Sequence, residues 1–93
     1  MYERLLKRFR EKIRSREYVM TIHAEEEMTE DGFTIYDVER GVLTGSVLER
    51  QRDSASRESK YRVRGKTVAG DSIEILTKLS PTGKLVIITV YAP

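Results

Sequence analysis

One histidine and a run of cations carry the chemistry open to this chain. His23 follows Thr21 and Ile22 and stands just before Glu25, Glu26 and Glu27. In the first turn of a short helix, a neutral imidazole would suit a general base. The simpler reading is a local hydrogen-bonding partner that fixes the turn into the helix. The cations lie downstream. Arg62, Arg64 and Lys66 alternate with Tyr61, Val63 and Thr67, so a strand gathers all of these cations on one face. Arg57 and Lys60 lead into that run, and Lys78 joins it from the following strand. Guanidiniums on a rigid sheet suit the gripping of phosphates and the stabilisation of a pentavalent transition state. The simpler reading is a solvated sheet face that discourages edge aggregation. Tyr36, Tyr61 and Tyr91 are aromatic candidates for base stacking, although burial is commoner at such positions and Tyr61 falls on the apolar face.

Other chemistries lack their residues. No cysteine is present, which removes disulfides, thiolate metal sites and cysteine nucleophiles and allows a reducing compartment. A single histidine beside Glu26 or Glu27 is not a zinc spacing, so no metal and no cofactor are expected. No serine-histidine-acid set or paired-carboxylate motif is present, and Gly65 and Gly70 do not form a nucleotide loop.

The elements that must position these residues can be read from pattern. From Lys60 to Pro93 the chain predicts a three-stranded meander, with turns at Gly70-Asp71 and at Ser80 to Gly83. Leu85 to Tyr91 is apolar on both faces, which predicts a strand buried on both sides: a central strand, or one covered by helices on one face and by something else on the other. Upstream, Tyr2, Leu5, Leu6, Phe9 and Ile13 recur at helical spacing, with Arg4, Lys7, Arg8, Lys12 and Arg14 off that stripe. A short strand around Tyr18 to Met20 follows. Thr21 is an expected N-cap for a helix ending near Glu30, with Ala24 and Met28 inward and Asp31-Gly32 as the stop.

Phe33 to Leu43 predicts another helix. Thr34 and Asp37 form a capping box, Phe33 and Val38 a staple, and Ile35, Val38 and Val42 the inward face. Gly41 is a cost inside it, and Gly45 stands where a C-terminal glycine belongs. Ser46 to Arg52 is an expected edge strand, and residues 53–59 an expected mobile loop. The fold class is α+β, with helices packed on one face of a four- or five-stranded antiparallel sheet.

The chain has 93 residues, which fits a single domain: a basic amphipathic helix over 1–15 and an α+β core over 18–93. Hydrophobic residues at 39% and charged residues at 34% place it with globular rather than disordered chains. No apolar run approaches the ~20 residues of a membrane helix, and charge begins at Glu3, so no membrane partner and a cytoplasmic location are expected. The net charge of +2 hides a segregation: residues 1–20 carry +4, residues 21–50 carry −6 and residues 51–66 carry +4. Such segregation makes local potentials that attract partners, or lets the segments face each other within the fold.

Several of these pieces together resemble a small uncharacterised prokaryotic family, a domain-of-unknown-function group. Met20-Thr21-Ile22-His23-Ala24 with Met28 resembles its T-x-H-A-x-x-x-M opening. Gly32 to Val38 resembles its second helix, and Tyr61 to Val63 through Lys78 and Leu85 to Tyr91 resemble its closing strands. The likeness covers roughly residues 18–92. In layout that family is similar to BrnT and RelE-like toxins, small ribonucleases paired with an antitoxin. The resemblance implies a metal-independent ribonuclease acting on mRNA, with a protein antitoxin as partner. It implies His23 as base or RNA contact, Arg62 and Arg64 as phosphate binders, Lys78 as charge stabiliser and Tyr91 as a further catalytic candidate. Arg57, Lys60 and Lys66 would complete the RNA contacts. Where the family commonly carries arginines before the methionine and before the glycine, this chain has Glu27 and Asp31. Two other readings are a non-catalytic module binding nucleic acid or protein, and a domain forming a homo-dimer through its sheet edge or first helix.

Overall fold

The computed structural model describes residues 1–93. The chain forms α1 (Glu3–Arg14), β1 (Tyr18–Met20), α2 (Ile22–Glu30), α3 (Ile35–Thr44), β2 (Ser46–Arg52), β3 (Ser59–Lys66), β4 (Ser72–Leu79) and β5 (Leu85–Tyr91). The five strands make one sheet in the order β1-β5-β4-β3-β2. Strands β2 to β5 are the expected antiparallel meander, extended by one strand. The sheet is mixed, because β1 runs parallel to β5, with Val19 opposite Val86. That pairing follows from the connection: β1 leads into two helices that carry the chain to the far edge, where the meander starts and works back. No helix is long and apolar enough to cross a membrane.

The helices cover one face. Phe9, Ile13, Ala24, Val38 and Val42 close over Val63, Ile73, Ile75, Leu85, Ile87 and Val90, and all are buried. Helix α1 lays Phe9 edge-on against Tyr61 at 5.7 Å between ring centres. Arg4, Lys7, Arg8 and Arg14 stay exposed, while Arg10 turns in and donates from Nη2 to the Gly45 carbonyl at 3.0 Å.

Helix α3 sits against the sheet backbone. A Cβ at Gly65 would lie 1.9 Å from the Gly41 carbonyl oxygen, and one at Gly41 would lie 2.7 Å from Ile73. Gly41 is therefore the seat of the helix on the sheet, and it takes the inward place expected of Ile35, which is only partly buried. Gly45 is not a left-handed C-terminal glycine. Its backbone is extended (φ −86°), and it is required because a Cβ there would strike the Gly41 carbonyl at 2.5 Å.

Both expected helix starts are present. The Thr21 hydroxyl accepts from the Ala24 amide at 3.0 Å, and Thr34 with Asp37 forms the full capping box. The connection after β2 is a turn with hydrogen bonds of its own, and β3 begins at Ser59. Asp53 Oδ1 accepts from the amides of Ala55 and Ser56, and the Asp53 amide donates to Glu58.

Strand β5 departs most from expectation. It lies between β1 and β4, with β4 central, and only one of its faces is covered. Val86 and Ile88 remain half-exposed, because no second layer packs on the other side of the sheet.

Candidate functional site

The uncovered sheet face is assembled by two parity changes. Strand residues alternate between faces, so Ile87 and Tyr91 should both point at the helices. They do not. Thr77 pairs with Ile87 and Leu76 with Thr89, leaving Ile88 as the extra residue of a bulge. Beyond it Val90 turns inward, and Tyr91 reaches the open face opposite Glu74. Strand β2 does the same. Val47 pairs with Val63 and Glu49 with Arg62, so Leu48 is extra and Glu49 emerges on the open face.

What collects there is a carboxylate under three donors. Glu74 accepts from Arg62 Nη1 at 2.8 Å, from Arg64 Nε at 2.8 Å and from the Tyr91 hydroxyl at 2.6 Å, and Arg64 Nη2 adds a further ion pair. Its side chain is only 2% exposed. Burial opposes ionisation, but the hydrogen bonds from Tyr91, Arg62 and Arg64 outweigh it and hold the carboxyl at about 2. The bond to Glu74, with burial second, pushes the Tyr91 phenol up, so it remains a donor at neutral pH. The bonds to Glu74 and then Glu49 raise Arg62 further. Arg62 Nε donates to Glu49 at 3.2 Å.

The sequence-selected residues divide accordingly. Arg62, Arg64 and Tyr91 meet at Glu74. Lys78 is on the same face but is paired with Glu58 at 2.8 Å. Lys66 continues the face and contacts the Ser72 hydroxyl at 3.1 Å. Lys60 stands opposite Gln51, and Arg57 lies in the 53–58 turn with a left-handed backbone (φ 61°). Arg57, Lys60 and Lys66 form no ion pair. The six cations on or beside this face outnumber its four carboxylates, Glu49, Glu58, Glu74 and Asp53 near Lys60, which leaves it net positive. Tyr61 is half-buried against the core, and Tyr36 is exposed on α3.

His23 stands apart. It is 66% exposed, with Nε2 3.1 Å from Glu27 Oε1, and no hydrogen bond or ion pair joins it to the arginines. The same Glu27 oxygen accepts the Val90 amide at 3.2 Å, and Asp31 accepts the Ala92 amide at 3.1 Å. Strand β1 is too short to pair with the end of β5, and these carboxylates take its place along the strand edge. Thr21 completes the clasp by donating to the carbonyl of the bulged Ile88 at 3.0 Å. Helix α2 thus fixes the bulge that sends Tyr91 to the open face.

Glu74 and Glu49 are the residues that sequence reasoning missed. A signal for Glu74 was present. Folding the meander at the Gly70 turn sets Arg64 opposite Glu74, an opposite-charge pair across strands. Glu49 had no such signal, since its face depends on the bulge at Leu48.

The fold and site define a class: a small α+β domain with an arginine-tyrosine-carboxylate cluster on the open face of its sheet. The chain belongs to the family described as a domain of unknown function, DUF4258, which matches residues 20–92. A search of curated proteins found no match, nor did a search of solved structures.

Proposed function

We propose that the protein is a metal-independent ribonuclease toxin that cleaves mRNA at the Arg62-Arg64-Tyr91 face and is countered by a protein antitoxin. One observation carries the reading. Two guanidiniums are locked side by side on an open sheet face by a carboxylate beneath them, with donors left over. Arg62 spends Nε and Nη1 on Glu49 and Glu74, and Arg64 spends Nε and Nη2 on Glu74. A guanidinium has five N–H donors, so Arg64 keeps Nη1 and Arg62 keeps Nη2 for the oxygens of a phosphodiester, while Glu49 sits on the Nε side of Arg62.

Fixed donors of this kind favour the transition state, where charge on those oxygens is greatest. The ribose 2′-OH attacks the adjacent phosphorus, a bond forms from the 2′-oxygen, and the bond to the 5′-oxygen breaks. The proton lost from the 2′-OH goes to solvent, and the leaving oxygen takes one up. Glu74 does not serve as the base, because a carboxyl held at about 2 is a weak one and it is covered. Its part is to position the arginines. Tyr91 holds Glu74 from the far side.

The test is cleavage of an RNA oligomer in EDTA by the wild type and by the Arg62→Ala and Arg64→Ala variants, alongside growth on induction. Loss of cleavage in both folded variants and growth arrest by the wild type are expected. Cleavage that persists in both would remove the arginines from the mechanism. The absence of a strong base beside the arginines favours a second reading, a module that binds nucleic acid without cutting it. In that case RNA affinity falls with salt while no product forms.

A further inference from the structure

We infer that Glu49 is an internal stand-in for substrate: it occupies the Arg62 edge that an incoming phosphate needs, and it leaves when one arrives. The inference rests on the open face being an anion site, as proposed above. The two carboxylates on Arg62 are held very differently. Glu74 has a side chain 2% exposed and accepts from Arg62, Arg64 and Tyr91. Glu49 has a side chain 44% exposed and touches Arg62 only through Nε, at 3.2 Å. Its other partner is the Gln51 amide at 2.7 Å, on the same strand.

Position adds to this. Nε and Nη2 form the side edge of a guanidinium, one of the edges that grips a phosphate through two parallel hydrogen bonds. Glu74 takes Nη1 and leaves that edge alone. Glu49 is the group that sits on it, through a single bond. It arrives from β2, an edge strand, by way of the bulge at Leu48. An exposed ion pair on an edge strand is weak, and a phosphate offering two bonds to the same edge displaces it. Hydrogen bonds from Gln51 and then Arg62 lower the Glu49 carboxyl below its ordinary value, so at neutral pH it competes in its charged form.

The displaced state does not leave Glu49 stranded. The side chain is already open to solvent, and Gln51 retains it. Arg62 stays anchored by Glu74, so the guanidinium does not move when its occupant changes. The device therefore screens ligands. A weakly bound anion such as chloride does not repay the exchange, whereas a phosphodiester with two oxygens presented together does.

The experiment titrates inorganic phosphate into the full chain at low salt and follows the Nε–H resonances of Arg62 and Arg64 by NMR, in the wild type and in Glu49→Gln, with Arg62→Ala read through Arg64 alone. Glu49→Gln should bind about two- to fivefold tighter, and the difference should shrink as salt rises. Glu49→Ala repeats the measurement without the amide, and thermal melts check that both variants are folded. Equal affinity in the wild type and both variants, with binding lost in Arg62→Ala, overturns the role of Glu49 and leaves the anion site standing. No phosphate response at Arg62 or Arg64 in any of the folded proteins overturns the anion site, and the role of Glu49 with it.

Discussion

The two faces of this sheet solve opposite problems. On the covered face the strands present Val63, Ile73, Ile75, Leu85, Ile87 and Val90, and a glycine seam lets α3 rest on the backbone of β3. On the open face β4 presents a buried charge, met by Arg62 and Arg64 from β3 and by Tyr91 from the bulged β5. The first face is held by close contact between groups that tolerate no added atoms. The second is held by the ion pairs of the buried Glu74, which tolerate no lost charge. Shape therefore governs one side of the molecule and electrostatics the other, although the same three strands make both.

The seam is the place where the contrast is easiest to break. Gly65→Ala sets a methyl 1.9 Å from the Gly41 carbonyl oxygen, and the obstacle is backbone that cannot rotate away. The loss should reach or exceed the roughly 3 kcal/mol at the upper end of ordinary overpacking. Urea unfolding checks it. A midpoint equal to that of the wild type would mean that α3 does not rest on β3.

On the open face the corresponding change is Glu74→Gln. It keeps the volume and removes the charge that holds Arg62 and Arg64, and breaking such a buried pair costs about 3 kcal/mol. Its pH dependence separates it from a packing defect. Folding lowers the Glu74 carboxyl from 4.5 to about 2, so between those values the unfolded chain binds the proton more readily. The wild type should lose stability as pH falls through that window, on the order of 1 to 3 kcal/mol after screening by the solvent over the face. Glu74→Gln should lack that component. Parallel acid profiles for the two proteins would show that the cluster contributes nothing through charge.

This division also explains what could be read from the sequence. Helices, caps, turns and the meander follow from local spacing, and the structure has them at Thr21, Thr34 and Gly70. The parallel pairing of β1 was not legible, because three residues carry no signal of direction. The site was legible only in part. Arg62 and Arg64 share a face by simple alternation, which holds along β3. Tyr91 and Glu49 reach that face because the alternation fails, at Ile88 and at Leu48. A bulge depends on what lies beside the strand, here the Thr21 hydroxyl and the Glu27 carboxylate, more than sixty residues away in the chain. The acidic residues at Glu27 and Asp31, which by charge alone oppose RNA binding, are occupied with the amides of β5 and the residue after it.

The smallest effect tests whether α2 belongs with the open face at all. His23→Ala removes an imidazole that is 66% exposed and pairs with Glu27 alone, so stability should change by no more than about 0.5 kcal/mol. Its effect on activity is the sharper reading. If His23 serves only the clasp, Glu27 still accepts the Val90 amide in the variant, the bulge persists, and Tyr91 stays on Glu74. On the proposed ribonuclease reading, RNA cleavage should then fall by less than about threefold, against a far larger loss for Arg62→Ala. Cleavage that falls as far in His23→Ala as in Arg62→Ala, with the Tyr91 phenol still titrating high, would place the histidine in the reaction. The open face would then be half of a site that the substrate completes by bridging from β3 across the end of β5 to α2.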